Sequence, residues 1–138
     1  LSKMAMMTGY KVTVVDDRPG FATPERYPEA EKTLTTSFSS SFTELNISKW
    51  SFIVIVTYGH QADEVVLEEA LKTPARYIGM IGSKSKNQAV YANLKSRGIT
   101  EEQISRVYAP IGTRINAHTP EEIAVSILGQ MIQVRRSS

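Results

Sequence analysis

Tyr77-Ile-Gly-Met-Ile-Gly-Ser-Lys-Ser-Lys86 decides the fold. Residues 77–81 have the length and continuity of a strand buried on both faces, and residues 83–97 follow as a helix with Gly98 as its stop. A buried strand, a glycine turn and a helix start with two lysines can hold an anion on backbone amides. Gly79 and Gly82 permit close backbone approach, Ser83 is a helix cap, and Lys84 and Lys86 add charge at the helix opening. An ordinary strand-to-helix turn with exposed lysines carries the same residues, so this segment alone leaves both readings open.

The same unit recurs along the chain. Residues 52–56 are a continuous apolar strand, and residues 61–71 follow as a helix with Val65, Val66, Leu67, Ala70 and Leu71 apolar. Residues 1–8 read as the end of a helix stopped by Gly9, and residues 10–15 as a strand closed by the turn chemistry of Asp16-Asp-Arg-Pro-Gly20. Residues 21–31 carry two prolines and read as loop, residues 32–36 as a short edge strand, and residues 107–109 as another short strand. Polar residues 37–51 give no assignment, and hydroxyl-rich residues 35–41 are expected to be mobile. Residues 119–134 are the clearest helix: Thr119 and Glu122 make a capping box, Pro120 takes the first helical position, and Ile123, Ala124, Ile127, Leu128, Met131 and Ile132 form one stripe. Arg135 and Arg136 close it at the favourable end of the dipole.

This alternation predicts an α/β fold, a Rossmann-like doubly wound parallel sheet with right-handed crossovers. With 138 residues, 41% of them hydrophobic, residues 1–138 make one domain. A dinucleotide-binding fold opens on a strand and Gly-x-Gly-x-x-Gly, whereas this sequence begins at the helix that should follow them. The sheet is therefore expected to lack its first strand and glycine loop: either the chain is a fragment of a longer protein, or the core strand between the strands that begin at Tyr10 and Phe52 is replaced by another element. Open strand edges would drive self-association into a homo-oligomer.

Composition narrows the function. Sixteen basic residues against fourteen acidic ones leave a formal charge of +2 with no clustered stripe, which argues against a nucleic-acid partner. The chain has no cysteine, excluding disulfides, thiolate metal sites and a cysteine nucleophile, and His60 and His118 are too far apart in sequence to suggest a metal. Apolar runs are strand-length, so no membrane role is read, and a soluble cytoplasmic protein is expected. Residues 1–7 lack the features of a signal peptide.

Ligands of doubly wound folds lie at the carboxyl ends of the strands. Asp16 and Asp17 stand where a dinucleotide fold places the acid that binds ribose hydroxyls, although a solvated turn would look the same. His60 and Asp63, after the strand at residues 52–56, can orient a ligand or move a proton; a histidine in such a loop also serves as a helix-start residue.

Five blocks in order carry a resemblance: Asp16-Asp-Arg-Pro-Gly-Phe-Ala-Thr-Pro-Glu-Arg-Tyr-Pro-Glu-Ala30, Thr57-Tyr-Gly-His-Gln-Ala-Asp63, the Tyr77 to Lys86 segment, Pro110-Ile-Gly112 and Thr119-Pro-Glu-Glu-Ile-Ala-Val-Ser-Ile127. Together they resemble the C-terminal Rossmann domain of XdhC/CoxI proteins, accessory factors for xanthine and carbon monoxide dehydrogenases. The resemblance implies a carrier rather than an enzyme. Such a protein binds a molybdopterin-type molybdenum cofactor, protects it while a cysteine desulfurase supplies sulfur, and delivers it to a molybdenum hydroxylase apo-enzyme. It implies cofactor-binding roles for Asp16, Arg18, His60, Asp63, Gly79, Gly82, Ser83, Lys84, Lys86, Pro110 and Gly112. Tyr58 replaces the Arg or His common in relatives, and Thr113-Arg-Ile-Asn116 replaces a leucine, acid and glycine pattern, so these loops are expected to differ in shape or ligand. The family's amino-terminal domain, with its cysteines, is absent from the sequence. Two other readings stand beside the carrier: an NAD(P)-dependent oxidoreductase, for which no second substrate domain is present, and a nucleotide-sensing interaction module.

Overall fold

Phe52 and Val54 point to one side of the strand they share, and Ile53 and Ile55 to the other, and this period of two sorts the core into two clusters. The computed structural model describes residues 1–137. Helices α1 (Ser2–Met7), α2 (Phe38–Glu44), α3 (His60–Ala70), α4 (Lys84–Ser96), α5 (Glu101–Ile104) and α6 (Pro120–Arg136) alternate with strands β1 (Thr13–Asp16), β2 (Lys32–Thr35), β3 (Phe52–Ile55), β4 (Tyr77–Met80) and β5 (Val107–Tyr108).

Every strand pair is parallel, as βαβ alternation requires. The strands form two ladders, β1–β2 and β3–β4–β5. Thr13 stands opposite Lys32 in the first, Phe52 opposite Tyr77 and Ile78 opposite Val107 in the second. β4 is central in its ladder, and all four of its residues are buried, which explains its unbroken apolar run.

On one face, Phe38 of α2, Val66, Leu67 and Ala70 of α3, and Val90 and Leu94 of α4 pack over Ile55, Ile78 and Met80. On the other, Ile127 and Met131 of α6 pack against Tyr77, with Phe52 and Val54 beside them. Leu67 and Leu94 are fully buried, each stabilising the fold by about 1.5–3 kcal/mol. Arg97 of the α4 cap binds Glu64 at 3.0 Å and Glu68 at 3.2 Å, joining α3 and α4 on a surface where such pairs contribute about 1 kcal/mol or less.

The sequence reading differs from the structure in three places. Residues 37–44, given no assignment from sequence, are the cap and turns of α2; the Ser37 hydroxyl accepts from Ser40 N, and Phe38 and Ser41 are buried. Residues 101–104, unassigned from sequence, are a helical turn started by a Thr100–Gln103 capping box. The first strand begins at Thr13 rather than Tyr10, because pairing with β2 starts there. The long C-terminal helix has the predicted Thr119–Glu122 capping box, with Pro120 inside its first turn. Among the described residues, no helix is long and apolar enough to cross a membrane.

Candidate functional site

Thr57 leaves β3 and turns at once. Its backbone N–H donates to Asp63 Oδ1 at 3.0 Å and its hydroxyl to the same atom at 2.6 Å. Asp63 therefore ties the β3–α3 loop to the first turn of α3. Burial pushes the Asp63 carboxyl above the usual range, partly offset by the two Thr57 bonds. Gly59 is the N-cap of α3 and brings no side chain to cap it, so no side-chain acceptor covers the first amides of that helix.

Across from this loop, Gly82 follows β4 with φ +128°, a conformation suited to glycine. Asn87 fills the space a side chain would take: its Oδ1 would lie 2.9 Å from a Cβ, and its Nδ2 donates to Gly82 O at 3.2 Å. The Ser83 hydroxyl caps α4 by accepting from Lys86 N at 3.3 Å. Two helices thus begin at one place. Between them lies a pocket of about 190 Å³ lined by residues that include His60, Asp63, Gly82, Lys86 and Asn87. Helix N-termini favour anions, and Lys86 adds a full charge.

The pocket gathers His60, Asp63, Gly82 and Lys86 from the predicted site residues, whereas Ser83 and Lys84 are outside its lining. Gly79 lies in the middle of β4, where a Cβ would sit 2.5 Å from Ile111 Cδ1 and 2.6 Å from the Tyr77 hydroxyl. Its missing side chain makes room for protein atoms.

Pro110 and Gly112 belong to a loop docked on α6. Gly112 N donates to Gln130 Oε1 at 2.9 Å, Thr113 N donates to Ser126 O at 3.0 Å, and the Tyr77 hydroxyl donates to Gln130 Oε1 at 2.6 Å. Gly112 has φ +102°, and a Cβ there would sit 2.5 Å from Ser126 Oγ. Burial drives the Tyr77 hydroxyl pKa strongly upward, so it remains a donor at any ordinary pH.

Asp16 and Arg18 form a separate cluster at the end of β1. Arg18 grips Asp16 with two side-chain bonds, Nε to Oδ1 at 3.1 Å and Nη2 to Oδ2 at 2.9 Å, and its backbone N–H donates to Oδ1 at 3.0 Å. The Arg18 bonds hold the Asp16 carboxyl below the usual range. The Arg18 guanidinium lies 3.8 Å from the Phe21 ring centroid and 4.4 Å from that of Tyr58, while the Tyr58 hydroxyl donates to Asp17 at 2.8 Å. Tyr58 thus connects this cluster to the pocket it also lines. Sequence reasoning missed Asn87 and Gln130, whose partners lie five and eighteen residues away. An amide on an otherwise apolar helix face, buried for Asn87 and half-buried for Gln130, is the signal that could have found them.

No group of three or more metal-ligating side chains occurs among the described residues.

The model of the XdhC Rossmann domain matches residues 1–131. The chain is 30% identical over 139 residues to the Escherichia coli (strain K12) protein called uncharacterized protein YqeB, a match covering 100% of this chain and 25% of that one. It is 29% identical over 136 residues to a Bacillus subtilis (strain 168) protein described as a probable xanthine dehydrogenase subunit, covering 99% of this chain and 39% of the relative. A crystal structure described as a xanthine dehydrogenase from Bacillus halodurans superposes with a TM-score of 0.84 at 30% identity, over 98% of this chain and 38% of that one. The chain therefore spans well under half the length of these relatives.

Proposed function

This chain belongs to the XdhC Rossmann-domain family, and from that premise we propose that it is an accessory domain that binds a molybdopterin-type molybdenum cofactor and supports its sulfuration and insertion into a xanthine dehydrogenase-type hydroxylase. Its partners in this reading are the hydroxylase apo-enzyme and a cysteine desulfurase. The carrying observation is the convergence of two helix starts, His60 and Lys86 on one pocket.

The donor set suits the anionic end of such a cofactor. Amides at the start of α3 and the Lys86 ammonium would hold its phosphate, with His60 at the rim as a further donor. A volume of about 190 Å³ is smaller than the roughly 300 Å³ at which pockets for whole organic ligands begin, so the pocket takes the phosphate and the flat pterin lies outside it. Tyr58, 54% exposed at the mouth, gives the pterin an aromatic surface. Bound molybdenum would supply the hydroxylase chemistry; this chain's residues bind and orient.

Asp16 favours this reading over a nicotinamide dinucleotide. Arg18 donors take three of about four acceptor positions on the Asp16 carboxylate, so the acid that a dinucleotide fold offers to ribose hydroxyls has little capacity left for them. The test is titration of molybdopterin into the wild-type chain and Lys86→Ala. Losing one charge-assisted bond of about 1.5–3 kcal/mol should weaken binding roughly 10- to 100-fold, with the melting temperature unchanged because Lys86 is exposed. Lys84→Ala, outside the pocket, should bind as wild type. Equal affinity in wild type and Lys86→Ala would remove the assigned anion site.

A further inference from the structure

The pocket between α3 and α4 offers acceptors as well as donors. Thr57 directs both its backbone N–H and its hydroxyl to one oxygen of Asp63, Oδ1, and among the described residues no group donates to the other, Oδ2. Asn87 is held in a similar way. Its Nδ2 donates to Gly82 O at 3.2 Å, which fixes the amide with Oδ1 as its free end, and no described group donates to that oxygen. Neither Asp63 Oδ2 nor Asn87 Oδ1 is sealed from solvent. Asp63 is 7% exposed and Asn87 4%, and both line the pocket, so the two oxygens open into it.

Two fixed acceptors beside Lys86, His60 and the amides at the start of α3 set a condition on the ligand. An anion whose oxygens only accept, such as sulfate or a phosphate esterified twice, brings nothing for these acceptors and leaves both unpaired once water is displaced. A phosphate monoester differs, because its second proton leaves with a pKa of about 6 and is available to donate near neutral pH. Its other oxygens still accept from the ammonium and the amides.

We propose, resting on the reading of this pocket as the cofactor's phosphate site, that Asp63 selects the anion: its Oδ2 shares one proton with an oxygen of a phosphate monoester, and Asn87 Oδ1 stands beside it as a second acceptor. No covalent bond forms. The pair holds a single proton, either as P–OH donating to the carboxylate or as the carboxyl donating to the phosphate dianion. Burial already raises the proton affinity of Asp63 towards that of the phosphate, which favours sharing. Of the residues lining the pocket with Asp63, those that titrate or carry charge are His60 of its own helix, Lys86 of α4 and Tyr58 at the mouth.

The test is titration calorimetry of the 138-residue chain with methyl phosphate, dimethyl phosphate and sulfate, each in two buffers of different ionisation enthalpy. Wild type should bind methyl phosphate about tenfold or more tighter than either of the other anions. At about pH 7.5 methyl phosphate is mostly dianionic, so its binding should take up close to one proton and should weaken as pH rises further. In Asp63→Asn the Thr57 donors keep Oδ1 and so turn the new amide NH2 into the pocket, where it donates. Sulfate should then bind about tenfold tighter than to wild type, the preference for methyl phosphate should close to about twofold, and the proton uptake should fall. His60 is common to both chains, so the difference between them belongs to Asp63.

A residue that only holds the β3–α3 loop in place would lower all three affinities by one factor and leave the proton count unchanged, and that result would overturn the proposal. Should Asp63→Asn fail to fold, the wild-type preference and proton count decide alone. If wild type does not distinguish the three anions while Lys86→Ala weakens them all, the anion site stands and the shared proton falls. If no anion binds, or Lys86→Ala changes nothing, the phosphate site falls and this inference with it.

Discussion

Replacing Gly79 by Ala separates two meanings of one glycine. From sequence, Gly79 offers backbone approach to a ligand; in the structure the α-hydrogen that a Cβ would replace faces Ile111 and Tyr77. An added Cβ would sit 2.5 Å from Ile111 Cδ1, 2.7 Å from Ile111 Cγ1 and 2.6 Å from the Tyr77 hydroxyl, all closer than carbon or oxygen atoms pack. Tyr77 is fully buried and its hydroxyl is bonded to Gln130, so it cannot swing away without breaking that bond. Ile111 must yield, and it carries the loop that Gln130 pins through Gly112. Overpacking of this kind costs about 1–3 kcal/mol. For a chain of this size that lowers the melting temperature by about 4–12 °C in calorimetry. Combining Gly79→Ala with Ile111→Ala should make the glycine substitution about 1–2 kcal/mol less costly than in the wild-type background, because the clashing methyl groups are gone. The reasoning fails if Gly79→Ala melts as wild type, or if its cost is the same in both backgrounds. Weakened molybdopterin binding with an unchanged melting temperature would instead restore the ligand-approach reading.

Other consequences are open to measurement. Gly112→Ala places a Cβ 2.5 Å from Ser126 Oγ at φ +102°, and should destabilise the chain by about 1–3 kcal/mol in urea titration. Asp63→Asn keeps an oxygen for the Thr57 donors but removes the titration. Because burial raises the Asp63 pKa above 3.8 in the folded chain, the neutral form is the favoured one, and wild-type stability from this group falls as pH rises from near 4 through the raised value. The variant should therefore gain on wild type between acid and neutral pH; a constant difference in denaturation midpoint across that range would contradict the assignment. Thr119→Ala removes the α6 capping bond to Glu122 N, and should cost about 1 kcal/mol, read as a lower denaturation midpoint with an unchanged slope.

The βαβ rhythm was legible because its signals are local. The apolar strands at β3 and β4, the Ser83 cap and the Thr119–Glu122 box each lie within a few consecutive residues. α2 was not read, since its packed face is only Phe38, Ser41 and Phe42 inside a run of serines and threonines that have weak helix preference. α5 escaped although Thr100 and Gln103 have capping-box spacing, because only four residues follow that start. The site was legible as a set of loops at strand ends and not as a geometry. Nothing near Gly79 in sequence shows that Ile111 fills its space, and nothing near Asp16 except Arg18 itself shows that most of the carboxylate's acceptor positions are taken. Such roles depend on partners brought together by the sheet, and a linear reading assigns them to the ligand by default.

Native mass spectrometry of the purified chain after incubation with molybdopterin, beside its denatured mass, tests the cofactor reading most directly. The account predicts a bound species one molybdopterin heavier than the chain, diminished in Lys86→Ala and unaffected by excess NAD(P). A chain that retains NAD(P) and ignores molybdopterin, or binds molybdopterin equally well without Lys86, would contradict it.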